Sequence, residues 1–178
     1  MPDPILALTL HPEWAWAITH LGKRCENRSP RFAAQIARRV GDGWLAIHAG
    51  VKRPADFHAV GDEVWRLGGI ATFVPKGQTM AGGLIANADG WLFHGAVPTH
   101  YVTEDTLTRG AIVALVKIGD VLPPGITADW KVDDSAALTL SRVLVLPEPI
   151  PCKGAQGLWT PAPDVQERLR AALEADRG

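Results

Sequence analysis

Gly110-Ala111-Ile112-Val113-Ala114-Leu115-Val116-Lys117-Ile118 is the strongest strand in the sequence, with Thr108-Arg109 ahead of it and Pro123-Pro124-Gly125 breaking it. A short apolar run between turn residues reads as a core strand. Downstream, Leu138 to Leu146 is a second strand, followed by the Pro149 to Trp159 segment and a terminal helix from Ala162 to Ala175, opened by Pro163-Asp164. Upstream, Ile5 to Leu10 and Trp44 to Ala49 are buried strands of the same kind. Between them, Pro12 opens a helix on which Trp14, Ala17, Ile18 and Leu21 recur at helical spacing until Gly22 closes it. Phe32 to Val40 is a second helix, closed by Gly41-Asp42-Gly43, and Pro54 to Leu67 a third, stopped by Gly68-Gly69. From Ile70 to Tyr101 the chain is glycine-rich and irregular, with short strand candidates at Ile70 to Val74 and Gly90 to Phe93. Strands and helices interleave without regular βαβ alternation, so the expected fold class is α+β, built on a small barrel.

Composition narrows the rest. The 178 residues suit one domain, and a domain of that size buries about 70% of its unfolded surface without a disulfide or metal. Cys25 and Cys152 form no C-x-x-C pair, so neither a zinc knuckle nor a disulfide framework is indicated and a reduced, cytoplasmic setting fits; no cofactor or metal is expected. The start Met1-Pro2-Asp3-Pro4 lacks the basic segment and apolar core of a signal peptide, and no run reaches the roughly 18 apolar residues of a membrane span. The formal net charge is −1, yet Lys23 to Arg53 holds eight basic residues against two acids. One region is therefore suited to an anion, although Arg38 and Arg39 equally suit the solvated face of a helix.

The candidate site is His20-Leu21-Gly22-Lys23-Arg24-Cys25-Glu26-Asn27-Arg28, where cations and a carboxylate sit side by side. In an extended run Arg24, Glu26 and Arg28 share one face, and Lys23 joins them from the preceding turn. Lys and Arg supply phosphate or carbonyl contacts. Glu26 accepts hydrogen bonds from base amino groups while orienting Arg28, or else it merely pairs with Arg28 to order a barrel mouth. Trp14 and Trp16, two apart on a helix, cannot share a face, so at least one of them is expected near the rim, where each is either a stacking platform for a base or an ordinary core or boundary residue; Trp44, Trp65 and Trp159 read as core. His48 ends a core strand near the cleft, where it is either a structural histidine or an acid–base group. In Lys153-Gly154-Ala155-Gln156-Gly157 the two glycines permit close backbone approach to a ligand, with Lys153 and Gln156 over the site, or else the segment is simply a turn between two strands.

Five segments in order carry a resemblance: Pro12-Glu13-Trp14-Ala15-Trp16-Ala17-Ile18, Gly22-Lys23 through Glu26-Asn27-Arg28, Leu45-Ala46-Ile47-His48-Ala49, Gly110 to Val116, and Pro149 to Trp159. Together they resemble the ASCH domain, a branch of the PUA-like superfamily. The resemblance implies a PUA-like small β-barrel with helices packed at its ends, spanning residues 1–160 with an irregular insertion around 70–105, and residues 161–178 as a C-terminal helix. It also implies a cleft lined by the Lys-x-x-Glu-x-Arg residues and a role in RNA binding or nucleotide handling. Two departures stand out. Leu21 occupies the family's usual first glycine position, with Gly22 directly before Lys23. An ASCH-type amidohydrolase branch that cleaves N4-acetylcytidine has a nucleophilic Thr three residues after the motif Lys, where this chain has Glu26, which lacks the hydroxyl.

Three function classes follow. One is a binding module for RNA or a modified nucleoside; another is an amidohydrolase-type enzyme on such a nucleoside, with Lys23 and Glu26 as catalytic proton-transfer groups; the third is an interaction protein with a vestigial cleft. The first is preferred because basic residues, aromatics and the barrel coincide. No membrane partner is expected.

Overall fold

A computed structural model describes residues 3–52, 57–66, 70–74, 76–78, 88–94 and 100–177. In chain order the elements are β1 (Leu6–Leu10), α1 (Pro12–His20), β2 (Cys25–Arg28), α2 (Pro30–Val40), β3 (Leu45–Ala49), α3 (Phe57–Arg66), β4 (Ile70–Val74), β5 (Gly90–His94), β6 (His100–Thr103), β7 (Ala111–Leu122), β8 (Ala136–Pro151), β9 (Leu158–Trp159) and α4 (Pro163–Ala175). The class is α+β. Six strands form one sheet in the order β2-β8-β7-β3-β1-β9, in which β1 and β3 are parallel and every other pair antiparallel. Its long hairpin β7–β8 is interrupted by register shifts at Ile112/Ala114, Lys117/Ile118 and Ile118/Val121. Such irregularities bend a strand and increase its twist, and the sheet curls into a half-barrel whose edges are β2 and β9.

Strand alternation distributes the core over both faces. Leu6, Leu8 and Leu10 of β1 and Leu45 and Ile47 of β3 pack with Ile18 of α1 and Ile36 of α2. Ala7, Ala46, Ile112 and Leu115 turn the other way, onto Val165 and Leu169 of α4. Helices α1 and α2 therefore cover one face of the sheet and α4 the other, where the sequence suggested helices at the ends of a barrel. Full burial of each such Leu or Ile contributes about 1.5–3 kcal/mol. Gln166 ties α4 down further, accepting from Ile5 N at 3.0 Å and donating to Ile5 O at 2.7 Å.

Both strands of the long hairpin outrun the sequence reading. β7 continues to Leu122 and β8 through the prolines to Pro151, because apolarity marks only the buried part of a strand while the solvated remainder still pairs. The stretch read as irregular contains both strand candidates and a third strand, joined as a separate antiparallel sheet β4-β5-β6. Trp91 and Phe93 of β5 close a second core with Val60 and Val64 of α3. The expected start and end of α3 (54–56 and 67–69), the side chain of Trp65, and residues 75, 79–87 and 95–99 lie outside the described residues. Trp44 and Trp159 are only half-buried.

Candidate functional site

The parallel pair β1–β3 positions the site. Where two parallel strands end together, their chains diverge into different helices and leave a crevice at their carboxyl ends. Here β1 runs into His11-Pro12 and α1, while β3 runs into Gly50-Val51-Lys52, the two exits held by Gly50 N donating to Leu10 O at 2.8 Å. A pocket of about 450 Å³ opens at this point. Its walls are Leu8 to Pro12, Arg28 and Phe32, His48 and Gly50 to Lys52, and the turn Lys153 to Gly157. Among the described residues lining it, Arg28, Lys52 and Lys153 carry charge, and all three are cations.

Arg28 arrives from β2, paired antiparallel with β8 in the register Glu26↔Leu138 and Arg28↔Ala136. Alternation puts Glu26 and Arg28 on one face and Asn27 on the other. Asn27 donates to Trp130 O at 2.7 Å and accepts from Val132 N and Ser135 Oγ, both at 3.0 Å, so it clamps the loop between β7 and β8. Glu26 is buried. Its Oε1 meets Arg28 at 3.1 Å and its Oε2 meets Lys23 Nζ at 3.1 Å. Lys23 is only 1% exposed; its Nζ also donates to Cys25 O and lies 5.8 Å from the ring centroid of Trp14. The turn that buries it is formed at Gly22, at φ +68°, where both Leu21 N and Lys23 N reach Ala17 O.

His48 enters the wall through a local irregularity. The pairing of β3 with β7 shifts between Ile47 and His48, leaving Val113 as the extra residue on β7, and bulges of this kind re-aim side chains beside functional sites. The imidazole Nε2 lies 3.1 Å from Cys152 O. A carbonyl can only accept, so Nε2 carries the hydrogen and Nδ1 has the lone pair. Nδ1 is buried and has no partner among the described residues. Burial pulls the His48 pKa below its usual value, with the Cys152 carbonyl opposing, which keeps the ring neutral near pH 7. Trp159 packs edge-on against the ring, and its Nε1 donates to Thr9 Oγ1 at 3.1 Å.

Arg28, His48, Lys153 and Gln156 therefore meet at one pocket, and Glu26 stands directly behind Arg28. Lys23 braces Glu26 from below and forms no part of the wall. Arg24, expected on the same face, instead turns back to donate to Ile18 O and Lys23 O, both at 3.1 Å, where it satisfies the carboxyl end of α1. Trp14 covers Lys23. Trp16 packs with Phe93, His20 and His100, at centroid distances of 5.0, 5.3 and 5.9 Å. Neither tryptophan lines the pocket; Phe32 of α2 is the aromatic that does. Phe32, Lys52, His11 and Thr9 were missed. Lys52 was visible in the basic run suited to an anion, and Phe32 opens the helix after the motif, but neither was placed at the cleft.

Chemically the pocket offers cations, an aromatic face, an imidazole lone pair and the Gln156 amide. Burial raises the pKa of both Cys25 and Cys152, so neither is an activated nucleophile. Both Glu26 oxygens are engaged by cations, which disfavours proton abstraction. Among the described residues no group of three His, Cys, Asp or Glu could hold a metal ion, and no helix is long and apolar enough to cross a membrane. The chain matches no known protein-family model, and no curated protein is similar to it.

Proposed function

We propose that this protein binds RNA or a modified nucleoside, taking one nucleoside unit into the pocket at the carboxyl ends of β1 and β3, as an ASCH-like member of the PUA-like superfamily. The observation that carries this reading is the one-signed charge of the pocket. Arg28, Lys52 and Lys153 surround a space of about 450 Å³ with no acid among the described lining residues, and a volume of that size suits a single small ligand. Phe32 offers a stacking face to a base. Glu26 supports this as a positioning residue: its carboxylate fixes the Arg28 guanidinium from behind, and Lys23 offsets the charge that remains. The amidohydrolase alternative is weaker, because Glu26 is committed to two ion pairs and does not line the pocket.

The test is anisotropy of a labelled single-stranded RNA oligonucleotide as salt is raised. Each phosphate contact on a single strand contributes a slope near −0.7, so three cations give a log–log slope of about −2. Arg28→Met should flatten the slope by about 0.7. Salt-independent binding, or turnover of N4-acetylcytidine that disappears in Glu26→Gln, would replace this reading with the hydrolase.

A further inference from the structure

The buried lone pair of His48 is a feature of the pocket wall that the charge argument leaves unused. His48 is 1% exposed, and its Nδ1 lacks any partner among the described residues. An acceptor left in this condition costs folding free energy unless something donates to it. Thr9 is its neighbour in the parallel register. The Thr9 hydroxyl accepts from Trp159 Nε1, which leaves its own proton to donate. The two groups converge: a Cβ added to Gly154 would lie 2.6 Å from His48 Nδ1 and 2.9 Å from Thr9 Oγ1. One acceptor and one donor thus face the same small volume.

That volume is covered by Gly154. Because glycine lacks a Cβ, its backbone closes over the imidazole where any other residue would collide with it. The cover is lightly held. Lys153 to Gln156 make no hydrogen bond among the described residues, whereas the flanks are tied, Cys152 N to Gly110 O at 3.0 Å and Leu158 to Leu8 in the sheet. The turn therefore has fixed ends and a loose middle, and that middle carries Lys153 and Gln156.

We propose that Lys153–Gly157 is a strap that lifts from His48 as ligand enters, and that His48 Nδ1 and the Thr9 hydroxyl then read an amide-type edge of the ligand. His48 Nδ1 accepts the ligand N–H and Thr9 donates to the adjacent C=O. This rests on the nucleoside reading of the pocket and deepens it, since the ligand ring must offer an N–H beside a carbonyl, as uracil does and its N3-methyl derivative does not. His48 and Thr9 are specificity-determining residues in this account, and the strap closes Lys153 and Gln156 over the bound ring.

The experiment compares uridine 5′-monophosphate with 3-methyluridine 5′-monophosphate by calorimetry, together with ¹⁵N spectra of histidine-labelled protein. The expected result is that the methylated nucleotide binds weaker by on the order of ten-fold or more, because it leaves the acceptor unpartnered. The unmethylated one should move the His48 Nδ1 resonance in the direction of an accepted hydrogen bond, and the methylated one should not. Thr9→Ser, which keeps the hydroxyl, should retain affinity for the unmethylated nucleotide, and Thr9→Val should lower it. If both nucleotides bind equally and Nδ1 does not respond, the Thr9–His48 inference is overturned while the nucleoside pocket stands. If neither binds, the nucleoside reading fails and this inference fails with it.

Discussion

Replacing Glu26 with Gln perturbs the part of the site on which Arg28 depends. The Lys23 and Glu26 side chains are 2% and 8% exposed, so the pair belongs to the buried regime, in which removing one partner strands the other charge at about 3–5 kcal/mol. Lys23 keeps the Cys25 carbonyl and the Trp14 face, and Arg28 is 27% exposed and recovers some hydration. The lower end, about 3 kcal/mol, is therefore expected. In a chain of this size 1 kcal/mol shifts the melting temperature by roughly 2–4 °C, which makes the drop about 6–12 °C. Urea unfolding should show it as a lower midpoint with unchanged slope. Adding Lys23→Met removes the stranded ammonium, so the double variant should be more stable than Glu26→Gln alone. A loss below about 1 kcal/mol, or simple additivity of the two changes, would refute the idea that a buried ion pair supports Arg28.

Other perturbations test separate parts of the account. Gly154→Ala would set a Cβ 2.4 Å from His48 Cε1, so calorimetric unfolding should show a loss of about 1–3 kcal/mol from overpacking, while nucleotide binding, which lifts the strap off His48 and relieves the clash, should hold or tighten. Phe32→Ala should weaken nucleotide binding by on the order of ten-fold, the worth of one stacked base; Trp16→Ala should leave binding intact while destabilising the fold by about 2 kcal/mol, less than a full core deletion because the ring is only half-buried. Burial lowers the pKa of His20 and of His48 below the ordinary 6.5, with nearby His100 adding to the effect at His20. The unfolded chain then binds more protons than the folded one below about pH 6.5, so stability should decline as pH falls through that range. Melting temperatures measured from pH 7.5 to 5 check it, and stability that rises on acidification would contradict the assignment.

Much of the fold was legible because apolar runs and glycine stops mark buried segments directly. The runs at Leu6, Leu45 and Ala111 are core strands, and Gly22 ends its helix as the sequence suggested. Periodicity was silent on the outer ends of the hairpin, Gly119 to Leu122 of β7 and Pro147 to Pro151 of β8, where every side chain but Ile150 is exposed or half-buried, and on β6, whose pairing depends on β5 rather than on its own pattern. At the site, spacing revealed that Glu26 and Arg28 share a face. It could not reveal that Arg24 folds back onto α1, since a carbonyl left unsatisfied at a helix end is a three-dimensional fact. Nor could it choose between tryptophans: Trp14 and Trp16 turn toward the buried lysine and the β5 aromatics, while Phe32 reaches the pocket because α2 packs against β2.

The claim on which the account stands is that a nucleoside unit enters the pocket where β1 and β3 end. The most direct measurement is an amide chemical-shift map of the protein titrated with uridine 5′-monophosphate. The largest changes are expected at Arg28, Phe32, His48 to Lys52 and Lys153 to Gly157, with little change around Trp16 and His20. Changes centred on Trp16 and His20, or scattered over the basic surface of α2 without saturation, would contradict it.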